Sequence, residues 1–257
     1  MLRRLFIILV VLLALPHGAS AAAKCGVVFM HGKWGSPGKH ITGVAFQLRQ
    51  IGCLVETPDM PWSGQRRYDV PASVAMQEID AAVARLKAQG ATAIFVGGHS
   101  MGAAAALAYG ARHPGLRGIL AIAPGHDPAL PGFAGKTAGD VQQARSLVSQ
   151  GRGGEIITVT DYNGGRTATF AIPAAVFLGY FDPAGLFVIP ANAQRLSAPV
   201  LWVSGESDPL TRLGRDYAFA RAPADPHNRY VEVAADHLGT PDAAAAQIAA
   251  WVQELLK

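Results

Sequence analysis

The chain has 257 residues, half of them apolar and 16% charged, with a formal net charge of +4. That apolar share is ample for one large core, and so few charges exclude a disordered chain. Arg66-Arg67 is an isolated basic pair and no lysine or arginine run stands beside aromatics, so there is no footprint for nucleic acid.

The chain opens with Met1-Leu2-Arg3-Arg4, a positive start, followed by an apolar run from Leu5 to Leu15 and a small-residue tail from Pro16 to Ala23. This is the pattern of a secretory signal peptide over residues 1–23, cleaved after Ala21 or Ala23. The apolar run is short for a bilayer crossing, so no stable membrane span is expected after cleavage. Lys24 stands before Cys25 where a lipoprotein needs a small residue. The expected product is an exported protein, periplasmic or secreted. Loss of Arg3 and Arg4 lowers the formal charge from +4 to +2. Cys25 and Cys53 would then meet an oxidising compartment, where they either pair or stay as buried thiols.

Along the remainder, Val27 to Met30 reads as a strand leading into His31-Gly32-Lys33-Trp34-Gly35. Residues 38–50 read as a helix, with Ile41, Val44, Ala45, Leu48 and Ile51 at helical spacing. Cys53 to Glu56 is the next strand, ending in a proline- and glycine-rich loop over 57–64. Residues 74–88 place Val74, Ile79, Val83 and Leu86 on one side of a second helix. Ala93 to Val96 then runs into Gly98-His99-Ser100-Met101-Gly102, which opens the alanine-rich stretch Ala103 to Ala108. Leu116 to Ala123 is a strand, stopped by Pro124-Gly125.

Residues 124–198 break the alternation. Val141, Ala144, Leu147 and Val148 suggest an amphipathic helix, and 155–160 with 167–172 suggest two strands around a turn over 161–166. The apolar segments 174–181 and 186–189 follow, interrupted by Pro173, Asp182-Pro183 and Pro190. Alternation resumes with a buried strand from Ala198 toward Gly205, with Asp208 just beyond it. Arg229 to Val233 is a further strand, followed by Ala234-Ala235-Asp236-His237. Strands alternating with helices imply an α/β fold, a mostly parallel sheet of about six strands covered on both faces.

A serine two places from glycine on either side, between a strand and a helix, sits on a strained turn with its hydroxyl thrown clear. With Asp208 and His237 following in the order serine, acid, histidine, the chain resembles the α/β-hydrolase superfamily. The resemblance implies that Ser100 is the nucleophile, His237 its base and Asp208 the acid that orients the histidine. It places the oxyanion hole at the backbone N–H groups of Met101 and Lys33, or Trp34 if the loop is turned by one residue. Asp127 is the rival acid, because some members keep theirs at the end of the preceding strand. Asp236 and Asp182 read as turn carboxylates, His31 as a support of the oxyanion loop, and His99 as packing beside the nucleophile.

The family pattern also implies that residues 124–198 are a cap insertion. Its apolar side either roofs the site and lines an acyl pocket or packs on the main core. In this fold Cys25 and Cys53 begin neighbouring strands, which implies a disulfide. The expected function is hydrolysis of a small-molecule carboxylic ester through an acyl-enzyme, without a cofactor. No His-Glu-x-x-His or Cys/His cluster suggests a metal, and no Gly-x-Gly-x-x-Gly suggests a dinucleotide. A peptidase, an amidase or an acyltransferase could use the same residues, and a binding protein could keep the fold without turnover. The apolar insert leads us to expect short or medium neutral acyl chains to be preferred over charged ones. Oligomeric state has no signature in the sequence.

Overall fold

Strand β1 (Cys25–Met30) shows why the sheet lies in the middle of the molecule, since all six of its residues are buried. Alternate side chains point to opposite faces. Val28 and Met30 join one apolar cluster with Ile79, Leu86 and Leu107, while Val27 and Phe29 join another with Val44, Leu48, Ile248 and Val252. A strand that must be apolar on both sides is the mark of a parallel sheet between helical layers. The computed structural model describes residues 24–257. The signal peptide expected over 1–23 lies outside the described residues.

After β1 come α1 (Thr42–Gln50), β2 (Leu54–Glu56), α2 (Ala72–Ala88), β3 (Ala93–His99), α3 (Met101–Gly110) and β4 (Gly118–Ile122). The insertion carries α4 (Pro131–Ser149), β5 (Ile156–Asn163), β6 (Arg166–Pro173), α5 (Ala174–Phe181) and α6 (Ile189–Ala193). The chain then completes the sheet with β7 (Val200–Gly205) and β8 (Arg229–Val233) and ends in α7 (Thr240–Leu255). The six-stranded sheet has the order β2-β1-β3-β4-β7-β8. Every pairing in it is parallel. Its α/β class and strand number match the sequence expectation. Helix α7, which buries Ile248, Trp251 and Val252, is an element the sequence reading did not separate.

Cys25 and Cys53 are joined by a disulfide that ties β1 to the residue before β2 at the sheet edge. Among the described residues, no helix is long and apolar enough to cross a membrane.

One feature of the insertion differs from expectation, and a second is decided between two alternatives. Strands β5 and β6 pair as far as Asn163 and Arg166, so the turn is only Gly164-Gly165, both at positive φ (55° and 80°). Two consecutive residues at positive φ make the tight hairpin that matches strand twist. Asp161 is therefore a buried strand residue and not part of the turn. Of the two alternatives for the apolar segments 174–181 and 186–189, the structure shows packing on the main core. Phe177, Tyr180, Phe181 and Phe187 are buried in the core. Tyr68 packs 5.0 Å from Tyr180 and 5.4 Å from Phe181, ring centre to ring centre.

Candidate active site

Parallel strands bring their carboxyl ends to one edge, and the loops there collect polar groups from distant parts of the chain. Lys33 follows β1, Ser100 follows β3, Asp208 follows β7 and His237 follows β8. Ser100 has φ 56° and ψ −118°, a conformation an L-residue adopts only under constraint. The constraint is steric. A Cβ on Gly98 would lie 2.6 Å from the Met30 carbonyl oxygen and the Gly102 carbonyl carbon, and one on Gly102 would lie 2.4 Å from Met30 O. Both positions therefore exclude any larger residue.

His237 Nε2 is 3.0 Å from Ser100 Oγ, and His237 Nδ1 is 2.6 Å from Asp208 Oδ2. Burial pushes the Asp208 carboxyl up, but the hydrogen bond and charge of His237 and the Leu210 N–H outweigh it and hold it below the usual range. An ionised Asp208 fixes the proton on Nδ1 and leaves the Nε2 lone pair facing the serine hydroxyl. The structure thus brings Ser100, His237 and Asp208 into one hydrogen-bonded chain. Asp127 lies apart from it. Its carboxylate accepts from the N–H groups of Ala129 and Ile189 and from the Tyr217 hydroxyl, and so ties the insertion to the segment after β7. Asp182 caps the end of α5 and pairs with Arg145, and Asp236 accepts from the Gly239 N–H in its turn.

The Trp34 N–H donates to Trp62 O at 2.8 Å, so it is not free to serve an oxyanion. The Lys33 and Met101 N–H groups have no acceptor among the hydrogen bonds of the described residues. Gly32 abuts the serine, with an added Cβ falling 3.1 Å from Ser100 Cβ. Gly125 lies on the other side, its Cβ position 3.1 Å from Ser100 Oγ.

Two buried histidines support the constellation. His31 accepts from the Met60 N–H at Nε2, and its other nitrogen is 2.8 Å from Gly32 O. His99 Nε2 donates to the His237 carbonyl at 2.8 Å and holds that loop beside the serine. Burial, with the charge of His237, lowers the His99 pKa to about 3.

Asp161 is the residue the sequence reading misplaced. It is fully buried and accepts four bonds: Lys33 Nζ at 2.6 Å, Tyr162 N at 2.7 Å, Trp34 Nε1 at 3.0 Å and the Tyr68 hydroxyl at 2.7 Å. The buried Lys33 ammonium also lies 4.8 Å from the centre of the Phe133 ring. Burial pushes the Lys33 pKa down, and the Asp161 charge opposes that shift. Asn163 Nδ2 donates to the Lys33 carbonyl, so the hairpin clamps both the side chain and the backbone of the loop after β1. The signal was available in the strand alternation, because Ile157, Val159 and Asp161 share the buried parity of β5.

The sequence profile described as serine aminopeptidase, S33, matches residues 21–152, just over half of the chain. The chain belongs to this family of α/β hydrolases. No curated protein matches the sequence of this S33 family member. Its fold is similar to that of the monoacylglycerol lipase of Paleococcus ferrophilus, with TM-score 0.63, 21% identity, and 91% of this chain and 96% of that one covered. It is also similar to a structure of the metagenome-derived lipolytic enzymes LipS and LipT, with TM-score 0.62, 17% identity, and coverage of 91% and 94%. The proline iminopeptidase of Mycobacterium smegmatis gives TM-score 0.58, 16% identity, and coverage of 92% of each chain. The chain is therefore a member of a hydrolase family and has the α/β-hydrolase fold.

A cleft of about 670 Å³ opens over Ser100 and His237. Its apolar wall is formed by Leu130, Phe133, Pro209, Leu210 and Leu238, and not by the segments 174–181 and 186–189. This size suits a small organic molecule.

Proposed function

We propose that the protein is an exported serine hydrolase that cleaves small-molecule carboxylic esters through an acyl-enzyme. The single observation that carries this reading is the Ser100–His237–Asp208 chain, at 3.0 and 2.6 Å, on a strained elbow at the floor of a cleft. In the proposed reaction His237 Nε2 takes the Ser100 proton as Oγ attacks the ester carbonyl. The Met101 and Lys33 N–H groups bind the oxyanion, and Met101 adds the positive end of α3. Collapse expels the alcohol, protonated by the His237 imidazolium. A water, deprotonated by His237, then releases the acid and restores the serine.

The family description names an aminopeptidase, which supports a second reading in which the scissile bond is a peptide. A free peptide amine needs an acceptor of negative charge. Among the described residues the two carboxylates lining the cleft are Asp127 and Asp208, and both are occupied by the bonds described above. That favours an ester. Export is part of the proposal, supported by the signal pattern of residues 1–23 and by the Cys25–Cys53 disulfide.

The test is turnover by the purified protein of p-nitrophenyl acetate and butyrate against alanine and proline p-nitroanilides. Ester turnover that exceeds anilide turnover and vanishes in Ser100→Ala is the expected result. Faster anilide hydrolysis would replace the esterase reading with the aminopeptidase one.

A further inference from the structure

Lys39, Lys136, Arg166 and Arg212 line the same cleft as Ser100. They come from four separate parts of the fold: the β1–α1 loop, α4, the first residue of β6, and the 3-10 turn after β7. All four are exposed, and among the described residues none has a carboxylate partner. Elsewhere on the surface Arg66, Arg85, Arg145, Arg152 and Arg229 are each paired with an acid, and the exposed Arg49, Arg67, Arg195 and Arg221, which are not, lie outside the cleft. What sets the four apart is that separate elements bring them to one cleft. Two of the four stand close to the reacting groups, because a smaller adjoining hollow of about 60 Å³ is bounded by Lys39 and Arg166 together with Ser100 and His237. Arg166 lies over the Trp34 ring at 5.7 Å and Lys136 over the Tyr162 ring at 5.3 Å, so aromatic faces position both cations.

A concave surface with an excess of one sign, here four exposed cations against the two hydrogen-bonded carboxylates Asp127 and Asp208, focuses its field on a ligand of opposite sign. Resting on the ester-hydrolase reading of Ser100, we propose that the substrate is an anionic ester, carrying a carboxylate or phosphate that Lys39, Lys136, Arg166 and Arg212 hold. The apolar wall takes the carbon chain, and the cations select the charged end. This reverses the preference for neutral acyl chains expected from the sequence.

The experiment compares kcat/KM for mono-p-nitrophenyl glutarate with that for its neutral methyl ester, which differs by one charge. At low ionic strength the anionic ester is preferred by about tenfold, and about 0.5 M NaCl cuts that preference at least about threefold. Lys39→Gln combined with Arg166→Gln brings the ratio toward one, whereas Arg85→Gln leaves it where it is. Equal or faster turnover of the methyl ester at low salt, with the hydrolase active, overturns the proposal alone. If the wild type hydrolyses neither ester, calorimetry on Ser100→Ala decides. Tighter binding of the monoester by about tenfold upholds the anion site while the hydrolase reading fails, and equal binding overturns the anion site as well. Competition by succinate against inorganic phosphate at fixed ionic strength then separates a carboxylate from a phosphate preference.

Discussion

Replacing Asp161 by asparagine keeps the shape of the side chain and removes its charge. Four donors converge on the two carboxylate oxygens, two on each. An amide has one acceptor oxygen, so its NH2 group must face two donors, and the Lys33 ammonium loses its counter-charge in a fully buried setting. Breaking one partner of a buried ion pair costs about 3 to 5 kcal/mol. For a domain of this size each kcal/mol moves Tm by about 2 to 4 °C. Asp161→Asn should therefore lower Tm by roughly 6 to 20 °C in a calorimetric or circular dichroism melt. Lys33→Met should be costly too, and the double variant should lose at least about 1 kcal/mol less than the sum of the single changes. Because the Lys33 N–H is the proposed second oxyanion donor, kcat on p-nitrophenyl butyrate should fall more than KM changes, at temperatures well below the melt. A Tm shift of Asp161→Asn below about 2 °C, or strict additivity in the cycle, would refute the reasoning.

Acid should destabilise the fold through its buried neutral histidines. His99 stays neutral in the folded protein down to about pH 3, against 6.5 as its ordinary value, so between those limits the unfolded chain binds a proton that the folded state refuses. Stability is complete above 6.5 and falls on acidification by about 1.4 kcal/mol per pH unit for each such proton. His31, also pushed down by burial, acts with the same sign. Urea unfolding from pH 7 to 4.5 should show a shallower slope for His99→Gln, and an unchanged slope would count against the assignment. Gly125→Ala puts a methyl 3.1 Å from Ser100 Oγ. It should cut kcat by about tenfold or more with little change in Tm, and wild-type kcat would show that the hydroxyl approaches from elsewhere. Replacing both Cys25 and Cys53 by serine opens a loop of sequence separation 28. On the chain-entropy estimate this costs about 3 to 4 kcal/mol, and an unshifted melt under non-reducing conditions would speak against the bond.

The sheet was legible because apolar runs such as Val27 to Met30 and Ala93 to Val96 must be buried on both faces, a demand written into composition alone. The elbow was legible for a steric reason, since only glycine fits at 98 and 102. Ser100, Asp208 and His237 were named together from the family resemblance, whose order of serine, acid and histidine they match just past three recognisable strands, and in the structure they share one hydrogen-bonded chain. Asp161 was not legible as a hub. Its donors come from the loop after β1 and from Tyr68, so nothing near it in the chain announces them, and the polar run 161–166 resembled a turn. The lining of the cleft was hidden for a similar reason. Lys39, Lys136, Arg166 and Arg212 are far apart in sequence, whereas the apolar stretch 174–181 is contiguous and drew attention to a surface that faces the core.

The central claim is that Ser100 is an activated nucleophile. Labelling of the purified protein by a fluorophosphonate probe, with the adduct mapped by mass spectrometry, tests it most directly. The account predicts stoichiometric modification of Ser100 and none in Ser100→Ala. Folded wild-type protein that stays unlabelled while hydrolysing esters, or an adduct on any other residue, would contradict it.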